Sequence, residues 1–349
     1  MNKGLYLHIP FCYTKCPFCD YYSISNAPET WLDTFTDVIV YQLRQLPTKL
    51  DTLYVGGGTP LALGQSRWER ILQNLPEAGE RTIELNPEDV KKDNFPLLAH
   101  FTRLSVGVQS FSDSVLKTLG RDKLDYEKLL DLLSHWDVSV DLMVGVPGQT
   151  RDEVLRDLIS VVALGVPHIS VYPLEVHEGT PFWGYYRGWD WDDADLLLMV
   201  EKFLTEHGYE HYEISNYARP GHQCLHNKIY WHDEEYYALG PSAAGYVNGV
   251  RYKWVSNLRL YVESAKLGEP TYEEYVALSW EEQLSEYAIM NLRLLSEGIR
   301  KEDVEKRFGE RAWGIILSQA EGNAFLNIEP NKITVKNWLF FNRAAEAFV

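Results

Sequence analysis

From residue 4 to about residue 175 the chain repeats one pattern: a short apolar or β-branched run, then a stretch whose apolar residues recur at helical spacing. This alternation constrains the fold most, because strands joined by helical crossovers pair in parallel. Six strands are expected, over residues 5–8, 52–55, 82–85, 104–108, 138–144 and 168–173, with helices over 31–46, 126–136 and 152–164 among the connections. Six βα units are too few to close an eight-stranded barrel. Polar and small residues interrupt the pattern at, or just after, the C-terminal ends of the strands, where βα barrels build their sites. Cysteines follow the first strand and glycines the second; Glu84 ends the third, Gln109 follows the fourth and Asp141 lies within the fifth.

Three of the four cysteines, Cys12, Cys16 and Cys19, fall within LHIPFCYTKCPFCDYY. Three thiolates cover three corners of a cubane iron–sulfur cluster, whereas a fully protein-ligated cluster takes four. One iron would then stay open to an outside ligand. Two other readings fit the cysteines alone. A tetrahedral zinc site needs a fourth ligand, which His8 or His226 would supply, since Cys224 is far away in sequence. Disulfides suit the cysteines less well, because three clustered thiols pair unevenly and there is no secretory h-region. Gly56, Gly57, Gly58 and Thr59 precede Pro60, so the segment is either a tight turn into a helix or a backbone that approaches a ligand with no Cβ in the way. No phosphate-loop lysine follows, which counts against a triphosphate site. Asp141 sits among Val140, Leu142 and Val144, and a carboxylate inside an apolar strand needs a partner.

The formal net charge of -17 argues against nucleic acid as a partner, since such binders need a basic face. No run approaches the ~20 apolar residues that cross a bilayer, and no basic amphipathic segment suggests anchoring, so a cytoplasmic location is expected. Residues 176–275 are dense in Trp, Tyr, His and Gly, including GYYRGWDWDD and the stretch from YEISNYA to HNKIYW, and read as an irregular cap and connector. From Trp280 the pattern turns helical, with a short hairpin around 325–335 and a last helix from Asn337, which suggests a winged-helix-like module.

LYLHIPFCYTKCPFCDYY resembles the opening of radical S-adenosylmethionine (SAM) proteins, and among them of the HemN/HemW coproporphyrinogen-oxidase-like family. LYVGGGTP (53–60), ELNPEDV (84–90), RLSVGVQSF (103–111), DLMVGVPGQT (141–150), YEISNYARPG (212–221) and HNKIYW (226–231) follow in that family's order, so the resemblance covers nearly the whole chain. It implies an α/β fold: a partial (β/α)6 radical SAM barrel over 1–175, a connector or cap over 176–275, and a C-terminal winged-helix-like domain over 276–349. It further implies a [4Fe–4S] cluster on Cys12, Cys16 and Cys19 with SAM at the open iron. By the same resemblance Tyr6 contacts the cofactor near the cluster and Phe18 lines the adenine site. Gly57, Gly58 and Thr59 meet the methionine amino group, and Glu84, Gln109, Arg121 and Asp141 hold the ribose and amino-acid ends. Glu175 matches a further contact by ungapped counting. These residue types suit those tasks, because carboxylates accept from diols and a guanidinium can pair with a carboxylate in bidentate fashion.

Cys224 and His226 are of the types that ligate heme iron, and Tyr230 and Trp231 would cover a macrocycle face. The alternative is a capping loop in which His226 satisfies buried carbonyls. His8 reads as a positioned hydrogen-bond donor. Coproporphyrinogen dehydrogenases of the family carry a further cysteine two residues after the third, where this chain has Tyr21, and a long N-terminal extension, whereas Cys12 here has eleven residues before it. The resemblance is therefore to the HemW-like branch, which implies binding heme and delivering it to an acceptor protein. Oxygen-independent coproporphyrinogen III oxidation and a structural zinc protein are the alternatives. A homodimer and transient contact with a membrane complex stay open. The chain departs from the branch at Ala243, Ala244 and Gly245, where GAH is common, and at 177–180, where HEGT replaces EPGT.

Overall fold

The computed structural model describes residues 3–189 and 194–349. The six expected strands form as β1 (Lys3–Ile9), β2 (Thr52–Gly57), β3 (Glu80–Leu85), β4 (Arg103–Gln109), β5 (Asp137–Val144) and β6 (His168–Pro173). Each pairs in parallel with the next. Alternate residues go to opposite faces of a strand. One set, with Leu53 and Val55, Ile83 and Leu85, Leu104 and Val106, Val138 and Val140, and Ile169 and Val171, is buried in the main hydrophobic core. The other set includes Tyr54, Glu84, Ser105, Asp141 and Ser170, and these line an inner cavity. The barrel is thus apolar outside, beneath its helices, and polar inside.

The helices follow from local signals. Helix Glu29–Leu43 buries Leu32, Phe35, Ile39 and Leu43 at the spacing of one helical face. Helix Arg151–Ala163 starts on a reciprocal capping box between Thr150 and Glu153. Asp125 caps helix Tyr126–Leu133 by accepting from the amides of Glu127 and Lys128.

Residues 176–275 are more regular than expected. β7 (Glu210–Glu213) and β8 (Asn216–Ala218) extend the sheet beyond β6, and β9 (Glu235–Leu239) pairs in parallel with the far side of β1. β10 (Ala244–Val247), β11 (Val250–Trp254) and β12 (Tyr272–Ala277) continue from β9 in antiparallel fashion. The result is one twelve-stranded sheet in the order β12-β11-β10-β9-β1-β2-β3-β4-β5-β6-β8-β7. The physical cause lies in the edges of an open barrel, whose unpaired backbone groups are satisfied by added strands. Asn248 and Gly249, both at positive φ, form the β10–β11 hairpin turn. Residues 190–193 of GYYRGWDWDD lie outside the described residues, while its start belongs to helix Pro181–Tyr186.

The C-terminal module has its own core, including Leu284, Trp313, Ile316 and Phe348. Helices Trp280–Asn291, Lys301–Phe308 and Glu310–Ala320 pack with a three-stranded sheet of β13 (Ile299–Arg300), β14 (Leu326–Glu329) and β15 (Lys332–Val335). The expected hairpin is β14–β15. After Asn337 comes a single 3-10 turn, Trp338–Phe340, before helix Phe341–Ala345. The module is fastened to the barrel by the Leu295 amide, which donates to the Tyr212 carbonyl (3.1 Å), and by Arg307, which meets buried Asp233 at 2.7 Å.

Candidate functional site

A cavity of about 640 Å³ opens among the C-terminal ends of the barrel strands. It gathers Cys12, Cys16 and Cys19 with Phe18, Gly57, Gly58, Thr59, Glu84, Gln109, Arg121, Asp141 and Glu175, and Cys224 also contributes to its lining. Tyr6, His226, Tyr230 and Trp231 are not among its lining residues.

The cysteine loop is clamped at its base. Phe11–Cys12 pairs in parallel with Ile24–Ser25, and the Ile24 amide donates to the Pro10 carbonyl at 2.7 Å. The Thr59 amide donates to the Phe11 carbonyl (2.6 Å), the Gly58 amide to the Ile9 carbonyl (2.9 Å) and the Phe182 amide to the Pro17 carbonyl (3.0 Å). A Cβ added at Gly58 would lie 2.5 Å from the Phe11 carbonyl oxygen and 3.0 Å from the Cys12 Sγ, so only glycine lets the turn lie against the first cysteine. Gly57 has φ +108°, and a Cβ there would strike the His8 ring.

The three thiols are partly exposed to the cavity and unpaired by disulfides. Burial pushes the Cys19 thiol up to about 11 and raises Cys16, against which the Arg121 guanidinium works. Thiols held protonated beside a cation are a donor set that a strongly Lewis-acidic iron centre would deprotonate and occupy. Among the described residues, no three His, Cys, Asp or Glu side chains are grouped to hold a metal ion; the thiols instead share the wall of a wider space. Three thiols on the wall of one cavity are the donor set for three irons of a cubane cluster.

Two carboxyl groups face the same space. Glu84 accepts from the Tyr54 hydroxyl (2.9 Å) and the Gly57 amide (3.0 Å). Burial pushes its carboxyl up to about 7 despite those bonds, and the charge of Asp141 adds to the rise. Asp141 accepts from Ser105 Oγ at 3.1 Å, and burial raises it to about 6 against the hydrogen bonds of Ser170 and Ser105. Carboxyl oxygens on the cavity wall have lone pairs with which to accept from a ligand's hydroxyl groups. Gln109 adopts φ +66° next to an irregularity in the β4–β5 register, which turns its side chain at the strand's end. Arg121 is bound in bidentate fashion by Glu88, at 2.8 and 3.0 Å, and also donates to the Gly107 carbonyl. Its fork is therefore committed to a protein carboxylate, which differs from the bidentate pairing with SAM that its residue type suggests. Phe18 packs near Phe182, with ring centroids 6.1 Å apart.

The residues expected to touch heme are placed differently. His226 is fully buried. Its Nδ1 meets Thr52 Oγ1 at 2.7 Å and its Nε2 meets the Tyr230 hydroxyl at 2.7 Å, so neither ring nitrogen is free for iron. The partners are hydroxyls, not the carbonyls of the capping-loop alternative. Cys224 is buried against Glu80 Oε1 (3.6 Å), and burial pushes its thiol up to about 12. Trp231 lies under the Arg293 guanidinium at 4.1 Å, and Tyr230 packs edge-on to His226. The Tyr6 hydroxyl donates to His8 Nδ1 at 3.0 Å, beneath the glycine turn, while His8 Nε2 donates to the Tyr22 carbonyl.

Several contributors are not evident from motifs. Glu80 accepts from the amides of Leu225 (2.9 Å) and His226 (2.8 Å), which caps helix Leu225–Trp231 from a strand far away in sequence. Tyr54 links His226, on which it stacks at 5.3 Å, to Glu84. Their signal is positional: Tyr54 and Glu84 share the inward phase of β2 and β3.

Residues 6–159 match the model of the radical SAM superfamily. The chain is 30% identical to the heme chaperone HemW of Lactococcus lactis, over 99% of this chain and 97% of that protein. It is 36% identical to the heme chaperone HemW of Escherichia coli over 70% of each. The solved structure of the E. coli coproporphyrinogen III oxidase HemN superposes with a TM-score of 0.82 at 22% identity, covering 99% of this chain and 90% of that one, which shows a common fold. An open βα barrel with three cysteines and a glycine turn at its mouth is the radical SAM architecture, and a [4Fe–4S] cluster and SAM are the cofactors of that class. Within it, the chain belongs to the HemN/HemW-like family. Its curated relatives at 30–36% identity are HemW heme chaperones.

Proposed function

We propose that this protein is a heme chaperone of the HemW type, which binds heme at a radical SAM barrel and passes it to an acceptor protein. Full-length similarity to a heme chaperone carries the reading. Tyr21 supports it from the site: it lines the cavity where dehydrogenases of the family have a further cysteine. In this reading Cys12, Cys16 and Cys19 hold three irons, and the bound cluster with SAM supplies one-electron chemistry. The backbone of Gly57, Gly58 and Thr59 receives the amino-acid end of SAM, Glu84 and Asp141 take its hydroxyl groups, and Gln109 and Phe18 orient its remainder. Arg121, held by Glu88, sets the positive potential beside Cys16. No helix among the described residues is long and apolar enough to cross a membrane, in keeping with cytoplasmic delivery to an acceptor.

Anaerobic reconstitution followed by parallel assays tests the proposal. Hemin should bind saturably at one per chain, and coproporphyrinogen III with SAM and reductant should yield no vinyl product. Vinyl product would favour the oxidase reading, and failure to bind hemin would refute the chaperone.

A further inference from the structure

We infer that His177, on the loop after β6, is the axial ligand through which the protein holds heme iron at the mouth of the barrel. This rests on the proposed heme-binding function and names its contact. With His226 sealed behind Thr52 and Tyr230, the ligand must come from a side chain that reaches the opening. Two histidines line the cavity among the described residues, His168 and His177. His168 is 2% exposed, with Ser139 Oγ at 2.7 Å from Nδ1 and the Tyr212 hydroxyl at 2.9 Å from Nε2. The side chain of His177 is 43% exposed. Its Nε2 faces Glu175 at 3.4 Å and Asp20 at 3.6 Å, and its Nδ1 has no hydrogen-bond partner among the described residues.

That arrangement suits a metal-ligating imidazole. A carboxylate beside one ring nitrogen favours the tautomer with its proton there, which leaves the lone pair on the other free to ligate. Asp20 immediately follows Cys19, so the imidazole stands directly against the cysteine loop. Its backbone is fixed, since the His177 carbonyl accepts from Thr180 Oγ1 at 2.7 Å and Thr180 caps helix Pro181–Tyr186.

The mouth also offers what a macrocycle requires. A cavity of about 640 Å³ is the size of one small-molecule site. With a cluster and SAM against its inner wall, a porphyrin has to lie across the opening. Tyr21 and Tyr172, 65% and 42% exposed, line that opening and present apolar ring faces. Lys15, which also lines it, donates to the Tyr21 carbonyl at 2.9 Å and sets a cation within the range of a propionate.

The test is hemin titration of the full-length, cluster-reconstituted chain, read by ferric EPR and magnetic circular dichroism, which separate heme from cluster absorption and report the axial ligand. Wild type should give a stoichiometric nitrogen-ligated signal. His177→Ala should lose it and bind hemin at least about tenfold more weakly, with imidazole in the buffer restoring the signal, and His177→Met should convert it to a thioether type. Unchanged melting temperatures would establish that the variants fold. Saturable binding by wild type with an unaltered signal and affinity in His177→Ala would overturn the assignment and leave the chaperone reading standing. Absence of saturable binding by wild type would overturn both.

Discussion

The closest approach in the site is between the glycine turn and the cysteine loop, and Gly58→Ala probes it directly. The new Cβ would meet the carbonyl oxygens of Phe11 at 2.5 Å and Ile9 at 3.0 Å and the Cys12 Sγ at 3.0 Å. Two of those atoms are backbone, and the same carbonyls accept the Gly58 and Thr59 amides, so the clash cannot be relieved by a side-chain rotation. Overpacking costs about 1–3 kcal/mol. If relief separates the segments, two backbone hydrogen bonds weaken at about 0.5–1.5 kcal/mol each. A loss of about 2–6 kcal/mol is expected, concentrated at the cluster loop, which at about 2 °C per kcal/mol for a chain of this length lowers the melting temperature by about 4–12 °C. Gly79→Ala is the control, because its nearest contact is an ordinary 3.5 Å to the Asp51 carbonyl oxygen. Iron and sulfide content after anaerobic reconstitution, with thermal unfolding of the metal-free chain, measures the effect. Full iron occupancy in Gly58→Ala together with a melting temperature equal to that of the control would refute the argument that the turn needs glycine to seat Cys12.

Three further outcomes follow from the site and its supports. The Glu84 carboxyl is raised from 4.5 to about 7, so the folded state holds its proton more tightly, and stability should fall as pH rises from about 4.5 to 7. That rise corresponds to about 3 kcal/mol, and Glu84→Gln should flatten the slope in denaturant unfolding of the metal-free chain. Asp233→Asn leaves Arg307 and Arg251 facing a neutral group at a fully buried position; a loss of about 3 kcal/mol or more is expected, seen as earlier hydrogen exchange in residues 280–349. His226→Phe leaves the Thr52 and Tyr230 hydroxyls unpaired at about 1–3 kcal/mol each, and it should also weaken SAM binding, measured by equilibrium dialysis; unchanged affinity for SAM would separate the two sites.

The six barrel strands are legible because each has one apolar phase beneath the helices and a polar phase that surfaces at its C-terminal end. Strand β6 forms over the expected residues, and the others extend by one to three residues at one or both ends. The added strands are illegible for a different reason. β9 reads as ordinary aromatic sequence, and its parallel partner is β1, far earlier in the chain; nothing local announces such pairing. The β10–β11 hairpin does carry a local signal in Asn248 and Gly249, which outweighs the apparent irregularity of the region. For the site, the strand phase brings the cysteines and Asp141 to one cavity wall. HNKIYW does not by itself reveal that His226 is buried between two hydroxyls, because both partners' placement depends on the fold. HEGT, visible as a departure from the family's run, gains meaning only once the fold sets its histidine beside Asp20.

HNKIYW and the glycine turn form one construction, although Thr52 and His226 are 174 residues apart. Glu80 on β3 caps the helix that carries His226, and the imidazole holds Thr52 and stacks on Tyr54 of β2. The Tyr54 hydroxyl then donates to Glu84, and the other oxygen of Glu84 accepts from Gly57. A Cβ at Gly56 would lie 2.6 Å from that carboxyl, so the glycine run is shaped by Glu84 from one side and by the cysteine loop from the other. A polar barrel interior gives up apolar packing, and ties between its inward groups help it to keep its shape. The chain from Glu80 through His226, Tyr54 and Glu84 to Gly57 supplies those ties. This gives a histidine with no access to the cavity a place in a signature segment: it braces the wall that carries the glycine turn.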